Sequence, residues 1–172
     1  MRSSLAFAIL AFCAALSAQA QPVPEYDLKA AVVYNFALFT EWPADTPHEG
    51  TTFNICLRTG SALRLPLNAL IDRAVRGRKI AIHNIGATDA LRNCHVLYLD
   101  AADRERWTQL RKTIEGASVL TVSEDGDIGR DGSVITLGLD SNRVVFDIDT
   151  RAARQARLTI SSRLLRLART VQ

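Results

Sequence analysis

The side chains that most often do chemistry are sparse in this sequence, and their spacing limits what they could do. His48, His83 and His95 are its only histidines. His48 reads as a loop residue and the other two as strand residues, none with a second ligand at helical or hairpin spacing. There is no His-Glu-x-x-His and no cysteine pair at zinc-site spacing. A Gly-x-Ser-x-Gly turn, which would raise a nucleophilic serine above an α/β sheet, is also missing. No catalytic set, metal site or cofactor is read from these residues, and the chain is not expected to be an enzyme. "SEDGDIGRDG" (Ser123 to Gly132) sets Asp125, Asp127 and Asp131 among glycines, as calcium loops do. Counted from Asp125, however, the twelfth position, where an EF-hand needs a bidentate glutamate, is Thr136. The stretch reads as a solvated turn between strands.

Two other stretches could bind. "LRTGS" (Leu57 to Ser61) follows a strand-like run. If that run is the first strand of an α/β sheet, Thr59, Gly60 and Ser61 lie at its carboxyl end and at the next helix's N-terminus. Backbone N–H groups and the helix dipole would there meet a small anionic ligand, with Arg58 beside it. The C-terminal segment carries Arg151, Arg154, Arg157, Arg163, Arg166 and Arg169. On a helical wheel they do not form one stripe, which reads as solvated surface. The alternative, for Arg163, Arg166 and Arg169, is a contact face for an acidic partner or anionic lipid headgroups.

The compartment follows from the first residues. Residues 1–20 place Arg2 before an apolar run from Leu5 to Leu16 and end in Ala18-Gln19-Ala20, the order of a secretory signal peptide. The run is shorter than the roughly 20 residues of a spanning helix; a retained anchor is the other reading. Phe12 is too large for the position before a lipidated cysteine, which argues against Cys13 as a lipoprotein site. Cleavage is expected after Ala20, giving a periplasmic protein, and removal of 20 of the 172 residues leaves 152. That length suits a single domain over residues 27–172, with 21–26 as an extended Pro-containing lead-in. The net charge of +3 falls to +2 with the loss of Arg2, too little to suggest a nucleic-acid partner. Cys56 and Cys94 remain as the only thiols of the exported chain. In an oxidising compartment they are expected to bridge, closing a loop of roughly 40 residues worth about 3–4 kcal/mol. The other reading is two buried free thiols.

The elements that would position these residues are read from periodicity. Leu28, Ala31, Val32, Phe36 and Phe39 recur at helical steps between Tyr26 and Trp42, and Pro43 stops the helix. It is too short to span a bilayer, and Leu28, Val32, Phe36 and Phe39 are expected to face the core. "TFNICLR", "GRKIAIHNI", "HVLYLD" and "SVLTVS" read as strands, and "ALRLPLNALI" and "RERWTQLRKTIEG" as helices, the second capped by Asp103. "SVITLGLDSNRVVFDID" reads as a hairpin turning at Asp140-Ser141-Asn142. Asp149 starts a short helix, and Ser161-Ser162 cap a last one. The expected fold is an α/β sheet, mostly parallel, with a C-terminal hairpin and flanking helices.

"LKAAVVYNFALFTEWP", "FNICLRTG", Cys94, "LTVSEDG", "VVFDID" and "LTISSRLLRLA" follow one another from Leu28 to Ala168. That succession resembles the YfiR family of periplasmic regulators, and the resemblance covers roughly Leu28 to Val171. The resemblance implies a Rossmann-like domain that forms dimers and is not an enzyme. It also implies repression of an inner-membrane diguanylate cyclase through its periplasmic sensor region, which lowers cyclic-di-GMP and biofilm formation until redox or envelope stress relieves it. The family's disulfide falls on Cys56 and Cys94. A second bridge of some members needs two cysteines in the C-terminal half, which this chain lacks. The alternative function is a periplasmic small-molecule-binding accessory subunit of another receptor or sensor kinase.

Overall fold

The computed structural model describes residues 23–45, 50–85 and 88–172. The leader, its cleavage site, Cys13 and His48 lie outside the described residues. Helix α1 (Glu25–Leu38) is followed by strands β1 (Thr40–Glu41) and β2 (Thr52–Leu57), helix α2 (Arg64–Asn68), and strands β3 (Ala74–Val75) and β4 (Arg78–Asn84). A 3-10 helix (Thr88–Asn93), β5 (Val96–Leu99), a second 3-10 helix (Ala101–Arg106) and α3 (Trp107–Thr113) come next. The chain closes with β6 (Leu120–Ser123), α4 (Gly126–Arg130), β7 (Ile135–Asp140), β8 (Arg143–Ile148), α5 (Thr150–Gln155), β9 (Thr159–Ile160), α6 (Ser162–Leu167) and β10 (Thr170–Val171).

Eight strands form one mixed sheet in the order β10-β8-β7-β6-β5-β2-β4-β3. Pairing is parallel except at the β7–β8 hairpin and the β3–β4 edge. The hairpin turns through Ser141 and Asn142, both at positive φ (47° and 63°), the backbone of the type I′ turn that matches strand twist. Every residue of β5 and β6 is buried, as strands covered on both faces must be. Alternate residues serve separate cores. Val96 and Tyr98 join the core under α1, α2, α5 and α6, whereas Leu97 and Leu99 join the one under α3 and α4.

Three expectations need correction. The first helix ends at Leu38, because Thr40–Glu41 is extended and pairs with Thr159–Ile160; Trp42 then packs edge-on against Phe53 at 5.2 Å between centroids. Its inward face is Lys29, Ala30, Val33, Phe36 and Ala37, with Leu28 exposed and Val32 and Phe39 half-buried. Alanines at the contact let the helix lie close to the sheet, which the bulkier residues beside them would prevent. The cap before α3 is Asp100, whose side chain accepts from Ala102 N; Asp103 completes the box by accepting from Asp100 N at 3.1 Å.

Candidate functional site

The sheet order fixes where a site would lie. From β2 the chain moves outward to β4 on one side, then returns to β5 on the other and continues to β6 and β7. β2 and β5 are therefore neighbours whose connections diverge, and the crevice at their carboxyl ends is where open α/β sheets bind ligands. Here that crevice is filled by the chain's own charges. Arg58, directly after β2, donates from Nη2 to both oxygens of Asp100, directly after β5, at 3.2 and 3.0 Å. Gly60 permits this, since a Cβ there would stand 2.7 Å from Arg58 Nη1 as the side chain folds over the turn. The Asp100 carboxylate holds the guanidinium pKa above its usual value. Asp103 is fully buried, and burial raises its pKa. Among the described residues Asp103 Oδ1, Ser61 Oγ and Arg58 Nε have no hydrogen-bond partner.

The next position along the rim is closed by α1. Lys29 donates to Glu124 Oε2 at 2.6 Å and pairs with Glu25 at 2.5 Å, and its ammonium sits 4.6 Å from the centre of the Tyr26 ring. Burial would lower the Lys29 pKa, but the bonds to Glu124 and Glu25 outweigh it and raise it. Tyr26 and Tyr98 are both raised, first by burial and then by the Glu124 charge. The sequence reading missed this group, because a lysine in an apolar helix reads as its solvent face. The available signal was Glu124, a carboxylate directly following the buried run "LTVS".

Arg58, Thr59, Gly60 and Ser61 thus lie at the carboxyl end of β2, with the Arg58 charge matched by Asp100. α2 begins only at Arg64, is five residues long and has no side-chain cap. Arg163 and Arg166 are exposed on α6 beside Leu167, which is 70% exposed, and neither makes an ion pair among the described residues. Arg169 lies beyond the helix and is bound by Asp147, donating from Nε at 3.0 Å. The "SEDGDIGRDG" stretch is not a plain turn: Asp125 accepts from Asp127 N and Ile128 N and caps α4. Arg104 binds Asp125 and lowers its pKa, and no group of three or more potential metal ligands occurs among the described residues.

Cys56 and Cys94 are joined by a disulfide across a Cα separation of 5.9 Å. His83 lies in register with Cys56 on the adjacent strand, and Asn54, Asn84 and Asn93 line a cavity of about 270 Å³ beside the bridge. His95 is a core residue: its Nδ1 accepts from Asn54 N at 3.0 Å, and its ring packs on Phe53. A larger groove of about 760 Å³ runs between α3 and α5, floored by Trp107, Ile114, Val119 and Val134 and flanked by Lys112 and Gln155.

The sequence profile of the YfiR/HmsC-like family matches residues 26–169. The chain belongs to the YfiR/HmsC-like family. No curated protein matches it. Among solved structures, it is similar to a conserved domain protein from Vibrio cholerae, at 12% identity and a TM-score of 0.55, over 86% of this chain. The chain spans 60% of that protein's length, and at this identity the likeness shows the fold alone. The match covers α1 through α6, so the disulfide and the closed rim both fall inside the YfiR/HmsC-like unit. No helix among the described residues is long and apolar enough to cross a membrane.

Proposed function

We propose that this protein is an exported periplasmic regulator that represses an inner-membrane diguanylate cyclase by binding its periplasmic sensor region. Membership of the YfiR/HmsC-like family over residues 26–169 carries the reading and supports a regulatory role in general. The filled switch-point crevice agrees with it, because a rim occupied by Arg58–Asp100 and Lys29–Glu124 favours action through surfaces over turnover in a cleft. The contact proposed for the cyclase is α6, where Leu167 stands exposed beside Arg163 and Arg166, neither of which makes an ion pair among the described residues, a combination suited to an acidic segment with an apolar anchor. The test is cellular cyclic-di-GMP in a deletion strain, with and without the cyclase. A rise that disappears when the cyclase is also removed supports repression, and an unchanged level in both strains overturns it. Complementation with Arg163→Glu/Arg166→Glu is expected to fail if α6 is the contact.

The groove between α3 and α5 favours a second reading, a small-molecule-binding accessory subunit of another receptor. Its volume lies in the range of ligand pockets, with an apolar floor and the polar side chains of Arg111, Lys112, Glu115 and Gln155 around it. A metabolite that raises the melting temperature of wild type but not of Val119→Trp, in a strain whose cyclic-di-GMP ignores the deletion, would select it.

A further inference from the structure

One edge of the sheet is left open by the chain's own turns. β4 runs from Arg78 to Asn84 and pairs with β2 from Lys79 onward, whereas β3 covers only Arg78 and Lys79 on the other side. The β3–β4 hairpin turns tightly through Arg76 and Gly77, both at positive φ (51° and 79°). It is cut short because the chain before Ala74 bends away, Arg73 N donating to Leu70 O at 2.9 Å. Two bonds fix which backbone groups of β4 face outward. Ile85 N donates inward to Leu57 O at 3.1 Å, and Ile80 N donates outward to Arg73 O at 3.3 Å. The direction alternates along a strand, so the N–H and C=O groups of Ile82 and Asn84 point away from β2. No strand pairs with them among the described residues. Exposed edges are ordinarily blunted by a proline, a bulge or a charged side chain, and Ala81, Ile82, His83 and Asn84 bring neither a proline nor a lysine or arginine.

We propose that this open edge receives an extended segment of a partner protein, which adds a strand beside β4 at Ile82 and Asn84. In that mode main-chain hydrogen bonds supply the affinity and alternate side chains the selectivity. The surroundings define the side chains. On one face Ile82 is half-buried at the border of the core under α1 and α2, so an apolar residue beside it extends that core. On the other face His83 borders the cavity that Thr52, Asn54 and Asn93 line, which suits a hydroxyl or amide side chain. Charge sets the end of the segment. Residues 69–84 carry Arg73, Arg76, Arg78 and Lys79 against Asp72 alone. Arg76 pairs with Glu41, and Arg78 Nη1 lies 3.2 Å from His95 Nε2. Arg73 and Lys79 are exposed and make no ion pair among the described residues. They attract an acidic residue where the added strand meets β3. The partner segment therefore alternates apolar with hydroxyl or amide residues and is acidic at the end beside Lys79. A second copy of β4 would bring another basic strand in place of an acidic one. This edge is separate from α6, and the inference does not depend on the cyclase reading.

Amide hydrogen exchange of the exported chain, followed by NMR, reads the edge directly. At about 50 µM protein the amides of Ile82 and Asn84 are expected to exchange roughly 100-fold faster than those of Ala81 and His83, which face β2. The probe is a labelled Val-Thr-Val-Thr-Val peptide with Glu-Glu at one end or the other. One of the two is expected to bind with a Kd of about 10–500 µM and to slow exchange at both positions. Lys-Lys in place of Glu-Glu is expected to weaken binding about tenfold in the wild type and to strengthen it in Arg73→Glu/Lys79→Glu. Asn84→Pro removes an outward N–H and no bond to β2, so it is expected to weaken binding about tenfold at an unchanged melting temperature. N-methylation of alternate peptide amides tests the same bonds without altering the protein. Protection of Ile82 and Asn84 in the dilute protein alone overturns the proposal, because the chain's own backbone then occupies the edge. Protection that appears only as protein concentration rises overturns it in favour of a second copy. So does a failure of both Glu-Glu peptides to slow exchange, or equal binding of the Glu-Glu and Lys-Lys peptides.

Discussion

Replacing Lys29 with methionine removes the ammonium that closes the crevice and keeps the length of the side chain. The Lys29 side chain is 7% exposed and bridges Glu124 and Glu25 at 2.6 and 2.5 Å. Deleting one partner of a fully buried pair costs about 3–5 kcal/mol, because the other charge is left without compensation. Here Glu124 is 16% and Glu25 43% exposed, so water reaches both carboxylates in part. The expected cost is therefore about 2–3 kcal/mol, or roughly 5–10 °C in melting temperature for a domain of this size. Circular dichroism during urea and thermal unfolding measures it. Lys29→Met/Glu124→Leu is expected to recover most of the loss, since an apolar replacement of both partners leaves no buried charge. A Lys29→Met protein within about 0.5 kcal/mol of wild type would refute the reasoning, as would a double variant no better than the single one.

Folded Lys29, Tyr26 and Tyr98 all hold their protons more tightly than the unfolded chain does. The stability they confer is complete below about pH 10 and is lost as pH rises through their folded values; urea midpoints from pH 8 upward are expected to fall above that point, and less steeply in Lys29→Met/Glu124→Leu. Cys56→Ala/Cys94→Ala opens a loop with a sequence separation of 38 and is expected to cost about 4 kcal/mol by urea denaturation; unchanged repression by the still-folded variant would make the bridge structural. Gly129→Ala would place a Cβ 2.3 Å from Thr136 Oγ1 and is expected to cost about 1–3 kcal/mol, whereas Gly126→Ala, whose nearest neighbour is the mobile end of Arg130 at 3.4 Å, is expected to be neutral or slightly stabilising in the same melts.

What the sequence revealed of this fold depended on whether one local rule governed each element. The hairpin, the buried runs of β5 and β6, and the caps at Asp149 and Ser161 each follow from a residue type in one local role, and all are present. α1 was legible as a helix but not in its orientation, because apolar residues on both sides leave no single stripe to select. Its most informative residue, Lys29, points inward only because Glu124 waits nearly a hundred residues later. Asp100 and Asp103 are both plausible caps, and only the path of the chain after β5 decides between them. Two-residue strands such as β1 and β9 carry no period at all. The position of Arg58 to Ser61 at the end of β2 was legible, but the matching of Arg58 by Asp100 across the sheet was not.

That pairing bears on how the molecule works. An α/β sheet ordinarily gives the carboxyl ends of its strands to a ligand, and in this chain Arg58, Asp100, Lys29 and Glu124 satisfy one another there. Opening the crevice would strand those charges in a poorly solvated rim, at a cost of several kcal/mol that a small molecule would have to supply from its own contacts. Binding is cheaper where apolar side chains are already exposed. The outer surface of α1 and α2 and the tip of α6 are two such places on separate elements, and contacts at either would leave the Arg58–Asp100 and Lys29–Glu124 pairs intact.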